Sequence, residues 1–307
     1  MKNDNLAKRI ESNGEDYHLL GRYREVTTKN IDALRSGRLY FSSPCYFNDP
    51  FDSVAYIDEN RLIGSITAHI ENGIRTGYVP KSVFQMPDYL AKLTLKEFEF
   101  EPFRGRFLDY VKKAAQYLQK CVSENTKVIC FSESLLSSLM WAHYADENKG
   151  FELIYDYEML KKANVYDSTH NTLSEKTILR KVKYFQKTPD RGQLFYDELP
   201  YHMFPFIRKK EDAAFYLQLL FTKHIEWEYE KEWRLCVIGE DVLLEDRASY
   251  ISADPIAILF GTRMSEEDKN KIYLATKGKE IAYFDVSLVN SHNYQGLYIK
   301  ESYLNRG

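Results

Sequence analysis

Short β-prone segments separated by unequal stretches of helical pattern constrain this chain more than any other feature. Residues 17–24, RLYFSSP, KVICFSE, GFELIYD, WEYEKEWRLCVIG, IAILFG and IAYFDV each read as a strand, being rich in β-branched and aromatic residues and bounded by turn formers. The intervals between them vary, with no regular strand–helix–strand rhythm, and this points to an α+β fold over a doubly wound sheet. Local signals place several helices. Thr27 or Thr28 offers an N-cap for TTKNIDALRSG, and Gly37 suits its end. Ser137 or Ser138 caps SSLMWAHYAD, and Ser265-Glu266-Glu267-Asp268 forms a capping box. FNDPFD reads as a turn.

The longest intervals look helical. Residues 58–126 read as an insertion, clearest in FRGRFLDYVKKAAQYLQKC, where Phe107, Val111, Ala114, Leu118 and Cys121 recur at steps of four and three. Residues 157–222 read as a second, mostly helical insertion ending in EDAAFYLQLLFTKH. Without repeats, low-complexity tracts or flexible linkers, the expectation is one domain over 1–307, with its core at about 17–57, 127–156 and 223–290.

Composition narrows the function classes. A net charge of −3 gives no field able to hold a nucleic acid by its phosphates alone, though nucleic acid remains open as a substrate. No run approaches the ~18 apolar residues of a membrane span, and the opening MKNDNLAKRIESNGED is polar, so the expectation is a cytoplasmic protein with no membrane partner. The four cysteines lie far apart with no C-x-x-C pair, against a disulfide framework or a zinc knuckle. Aromatic residues make up 15% of the chain, and all three tryptophans (Trp141, Trp227, Trp233) fall in two short segments.

Those segments carry the candidate chemistry. If residues 227–239 are a strand, Glu230 and Glu232 share a face while Lys231 and Trp233 face the other way. Two carboxylates on one face repel, and such pairs occur where a sugar-like cation is stabilised or a nucleophile deprotonated; the plainer reading is a charged, solvated strand edge. Ser132 ends an apolar strand and offers a hydroxyl to a ligand. Trp141 and Tyr144, three apart on a helix, share a face suited to stacking on a flat ring, and His143 is a candidate base; core packing is the alternative. Arg22, in Arg22-Tyr23-Arg24, is placed to clamp a diphosphate through paired N–H donors, or to make a surface ion pair. Asn48-Asp49-Pro50-Phe51-Asp52 fits no EF-hand, and no metal is expected. No phosphate-cradling P-loop or G-x-G-x-x-G is present.

Taken together, LGRYREVTTKNIDALRSGRLYFSSPCYFNDPFD, CFSE, MWAHYADENKGFELIYD, WEYEKEWRL and IAILFGTRMS resemble the bacterial family known as domain of unknown function 2971. A weaker resemblance is to ADP-ribosyltransferases of the arginine-serine-glutamate type, which bind NAD between a split pair of small sheets. That resemblance implies Arg22 as the arginine, Ser132 as the serine (with Ser42 and Ser43 as rivals), and Glu230 with Glu232 as the Glu-x-Glu. It implies that Glu232 holds the nicotinamide ribose and that Glu230 activates the acceptor; on physical grounds Tyr23, Tyr144 or Trp141 is the aromatic expected to stack on nicotinamide. The serine motif departs from the pattern, reading Phe-Ser-Glu where the subgroup has Ser-Thr-Ser. The expected activity is transfer of ADP-ribose from NAD to a protein or nucleic acid, as a toxin or phage-defence effector with a neutralising antitoxin, or simple NAD hydrolysis. Two alternatives stand beside it. One is a non-catalytic sensor module gripping a nucleotide or partner. The other is a metal-dependent hydrolase or nuclease using Glu230, Glu232, Asp49 and His143.

Overall fold

A computed structural model describes residues 2–12, 19–53, 58, 116, 122, 126–173, 177–187, 213–238, 249–291 and 294–306. The chain divides into two compact units. The larger comprises residues 1–48, 124–184 and 223–307; the smaller comprises 49–123 and 185–222.

The larger unit begins with helix α1 (Lys2–Ser12), strand β1 (Leu19–Arg24), helix α2 (Thr28–Ser36) and strand β2 (Arg38–Tyr40). It resumes with β3 (Thr126–Ser132), α3 (Ser138–Tyr144), β4 (Phe151–Asp156), α4 (Tyr157–Lys161), β5 (Val165–Tyr166), β6 (Thr177–Lys181) and β7 (Lys183–Phe185). In the smaller unit, the described residues include helix α5 (Ala213–Leu220). The chain then runs through β8 (Thr222–His224), a 3-10 turn (Ile225–Glu230), β9 (Glu232–Ile238), β10 (Tyr250–Ser252) and β11 (Ala257–Phe260). It closes with α6 (Glu266–Thr276), β12 (Ala282–Ser291) and β13 (Tyr294–Glu301). No helix among the described residues is long and apolar enough to cross a membrane.

The mixed architecture agrees with the α+β expectation. Eight strands form one sheet in the order β13-β12-β11-β4-β1-β3-β9-β6, alongside three-stranded (β2-β10-β5) and two-stranded (β7-β8) sheets. Every neighbouring pair in the large sheet is antiparallel except β11 with β12, which are joined through α6 as a parallel pair requires. The described strands thus fall into one large sheet and two small ones. The waist of the large sheet is narrow: β1 meets β3 only at Gly21↔Ser132, whereas β1 and β4 pair from Leu19↔Asp156 to Arg24↔Phe151.

Both faces of this sheet are covered, which explains why its central strands read as continuous apolar runs. Leu20, Leu153, Tyr155, Phe131, Leu235, Ile258 and Phe260 point to the face packed by Leu34 of α2, Leu160 of α4 and Ile272 of α6. Leu19, Tyr23, Ile154, Ala257 and Leu259 point to the other, with Met140 and Trp141 of α3 and Ile10 of α1. The cap signals act as expected: Thr27 Oγ1 accepts from the Asn30 amide, Ser137 Oγ from Met140 and Ser265 Oγ from Asp268, and Gly37 is left-handed at φ 64°.

Two expectations need correction. Residues 157–184 belong with the larger unit and carry β5, β6 and β7 where mostly helix was expected. β6 is the sheet's edge strand and has no fully buried residue, so its sequence lacks the alternation a half-buried strand shows. In WEYEKEWRL only the segment from Glu232 is strand; Trp227, Tyr229 and Glu230 sit in the 3-10 turn. The expected helical insertion at 58–126, including Phe107, Val111, Ala114, Leu118 and Cys121, lies almost wholly outside the described residues.

Candidate active site at the sheet waist

The turn before β9 builds the site. His224 caps it, and it ends at Lys231, whose left-handed backbone (φ 43°, ψ 52°) redirects the chain into β9. Four consecutive carbonyls across this kink are held by other segments. Ser134 Oγ donates to Tyr229 O at 3.0 Å, Ser132 Oγ to Glu230 O at 2.5 Å, the Glu133 amide to Lys231 O at 3.1 Å, and the Val182 amide to Glu232 O at 2.9 Å. The Glu232 amide in turn donates to the Tyr184 hydroxyl at 2.8 Å.

With the backbone so fixed, Glu230 and Glu232 meet around one cation. Lys223 Nζ lies 2.6 Å from Glu230 Oε2 and 3.3 Å from Glu232 Oε2. Glu232 also receives a two-pronged contact from Arg234, Nε to Oε1 at 2.8 Å and Nη2 to Oε2 at 2.9 Å. Arg234 has no solvent exposure, and its guanidinium lies 4.7 Å from the Phe47 ring centroid. Glu230 receives the Tyr144 hydroxyl on Oε1 at 2.5 Å. Two carboxylates and two cations thus form a charge-balanced, nearly dry cluster, in which each ion keeps a partner.

The two acids are pushed in opposite directions. Burial alone would raise Glu232, but Arg234 and Lys223 outweigh it and hold the carboxyl at about 2. For Glu230 burial prevails over Lys223, and the neighbouring negative charge of Glu232 adds to it, so its pKa rises. Burial and Glu230 together raise the Tyr144 phenol, which keeps its proton as a donor.

The other expected site residues divide between this cluster and the rest of the unit. Ser132 is in the cluster, but its single proton goes to the Glu230 carbonyl and its oxygen accepts the Ser134 amide at 2.8 Å, so it positions the turn instead of meeting a ligand. Tyr144 is in the cluster, and His143 stands at its exposed rim, 3.0 Å from the Tyr229 hydroxyl. Arg22 is not brought to it. Gly21, Ser132 and Glu232 lie in one register row and share a face, so Arg22, one residue on, points to the opposite face, over the Phe131 ring at 5.9 Å. Tyr23 and Trp141 pack edge to face at 5.3 Å, 5% and 0% exposed, and offer no open ring face to nicotinamide. Ser43 caps the short turn Pro44–Tyr46, and Ser42 is bridged to Val128 through the backbone.

Lys223 and Arg234 are the cluster members that sequence reasoning missed. Period-two alternation along β9 puts Arg234 beside Glu232, a signal that was present in Glu232-Trp233-Arg234. Lys223 carried no such signal, since it reaches both acids only after the 3-10 turn folds back. Among the described residues, no three His, Cys, Asp or Glu side chains converge as a metal ion requires, so the metal-dependent alternative gains no donor set.

Residues 140–235 match the family model described as "Protein of unknown function (DUF2971)". The match supports the resemblance to that family. It takes in Tyr144, Tyr184, Lys223, Glu230, Glu232 and Arg234, while Ser132 precedes it. That description assigns no activity, and it lends nothing to the ADP-ribosyltransferase resemblance. No curated protein and no solved structure matches the chain.

Proposed function

We propose that the chain consumes NAD at the Glu230–Glu232 cluster, transferring ADP-ribose to a protein or nucleic acid or, in the simpler variant, to water. The observation that carries this reading is the pair of buried carboxylates whose environments drive their pKa values apart, Glu232 held ionised and Glu230 pulled toward the neutral form. Such divergence is how one site supplies a fixed negative charge and a proton-exchanging group at the same pH. Cleavage of the nicotinamide–ribose bond passes through an oxocarbenium-like state, which a fixed carboxylate stabilises. In this reading Glu230 exchanges the proton of the acceptor, Tyr144 orients it, and Glu232 with Lys223 and Arg234 sets the local field. The narrowing of the sheet to one residue pair beside Ser132 also fits a ligand entering where two half-sheets part. Arg22 has no part in it, and the diphosphate-binding group is unassigned.

The test is nicotinamide release by the purified full chain, together with labelling of cell lysate by tagged NAD. The expected result is turnover that falls by ~100-fold or more in Glu230→Gln, with an unchanged circular dichroism spectrum. Absence of both nicotinamide release and labelling in the wild-type chain removes this reading.

One observation favours a second reading, a non-catalytic module. Glu232 is already engaged by two cations, one of them without solvent exposure, as in a network whose role is to specify structure. In that case Glu230→Gln leaves the cellular effect of the protein intact.

A further inference from the structure

Glu152, in the middle of β4, is wholly buried; among the described residues the Tyr23 hydroxyl comes within reach of its carboxyl, but that hydroxyl is turned to the Ser134 carbonyl, so the carboxyl oxygens are left without a donor. It stands opposite Tyr23 of β1 and Leu259 of β11, so its side chain lies on the same sheet face as Ser132 and Glu232. Its carboxyl fills the space left by Gly21: a Cβ there would come within 1.9 Å of Glu152 Oε1 and 2.7 Å of Leu135 Cδ2. Gly21 is the residue at the waist of the sheet, paired with Ser132. The polar group facing Glu152 is the Tyr23 hydroxyl, whose only proton is given to the Ser134 carbonyl. From Ser134 the bonds continue to the site, through its amide to Ser132 Oγ and from that hydroxyl to the Glu230 carbonyl.

We propose that Glu152 is a positioning residue for the Glu230 cluster. As a neutral acid behind Gly21 it leaves the Tyr23 hydroxyl on Ser134, and so fixes the Ser132–Ser134 segment that pins Glu230. An ionised carboxylate at the same place takes that proton from the Ser134 carbonyl, because a buried charge with no donor is far costlier than a neutral carbonyl losing one. The segment then loses the Tyr23 bond at Ser134 and, among the described residues, is held to β1 by the Gly21–Ser132 pairing alone. Among the described residues Tyr23 is the titratable group facing Glu152; Gly21, Leu135 and Leu259, its neighbours from β1, the segment leading into α3 and β11, are uncharged. Burial drives Glu152 far toward the neutral form, in keeping with this role.

This role rests on the reading of the Glu230 cluster as the working site; the measurements that test it use no NAD, so the two readings fail separately. Infrared difference spectra of the full chain against Glu152→Gln are expected to show a protonated carboxylic acid band that persists at neutral pH. Amide hydrogen exchange at Ser134 supplies the second measurement. In the wild-type chain, protection corrected for intrinsic exchange falls with rising pH, by up to about tenfold per pH unit as the Glu152 transition is approached, and levels off above it. In Glu152→Gln, which keeps a neutral side chain of the same shape, protection stays flat. Tyr23→Phe lowers it at every pH. Absence of the acid band at neutral pH, or wild-type Ser134 protection that tracks Glu152→Gln across the whole range, overturns the proposal.

Discussion

Arg234 gives Glu232 a two-pronged guanidinium partner because the two share a strand face two residues apart, while Arg22, expected as a diphosphate clamp, points to the opposite face. A fully buried arginine earns its place only while its carboxylate is present. Arg234→Leu is therefore expected to destabilise the fold by about 3–5 kcal/mol, since it strips the dry Glu232 carboxylate of its two-pronged partner. Glu232→Leu combined with Arg234→Leu is expected to recover part of that loss, as removal of both charges leaves neither uncompensated. Denaturant titrations of the two variants check this; equal losses in both would show that the pair interaction is not what the single variant breaks.

At the level of elements, the site depends on one backbone irregularity. Lys231 sits in left-handed conformation between the 3-10 turn and β9, and that bend lets Glu230 and Glu232 close on Lys223. A non-glycine residue there costs roughly 1–2 kcal/mol, and a β-branched one more. Lys231→Gly is accordingly expected to leave stability unchanged or slightly raised. Lys231→Val is expected to lower it and to disturb the Tyr144–Glu230 contact, read by thermal unfolding and by the shift of the Tyr144 ring resonances. A tolerated valine would mean that the turn does not hold its left-handed residue.

For the molecule as a whole, buried acids of opposite habit set the pH range of stability. Glu232 has its folded pKa lowered to about 2 from an ordinary 4.5. Its contribution is present above about 4.5 and is lost as pH falls from there toward 2. Glu152 is raised, chiefly by burial, so its contribution is present below the ordinary carboxylate range and is lost as pH rises through its folded value. Denaturant midpoints measured over a pH series are expected to fall on both sides, and Glu152→Gln is expected to flatten the alkaline limb alone. An alkaline limb unchanged in Glu152→Gln would place that loss elsewhere.

Much of the secondary structure was legible because its signals are local. Thr27, Gly37, Ser137 and Ser265 cap their helices through atoms three or four residues away, and GFELIYD and IAILFG are apolar enough to demand a sheet interior whatever surrounds them. The edge strand β6, half exposed, left no such mark. At the site, the chain sequence singled out Ser132, Tyr144, Glu230 and Glu232, because unusual residue types gathered in short segments. It did not decide their partners. Whether Arg22 or Arg234 meets Glu232 depends on the register between β1, β3 and β9, and a shift of one residue turns every side chain of a strand to the other face. Only the folded sheet fixes that register, and only the bend at Lys231 delivers Lys223 to both acids.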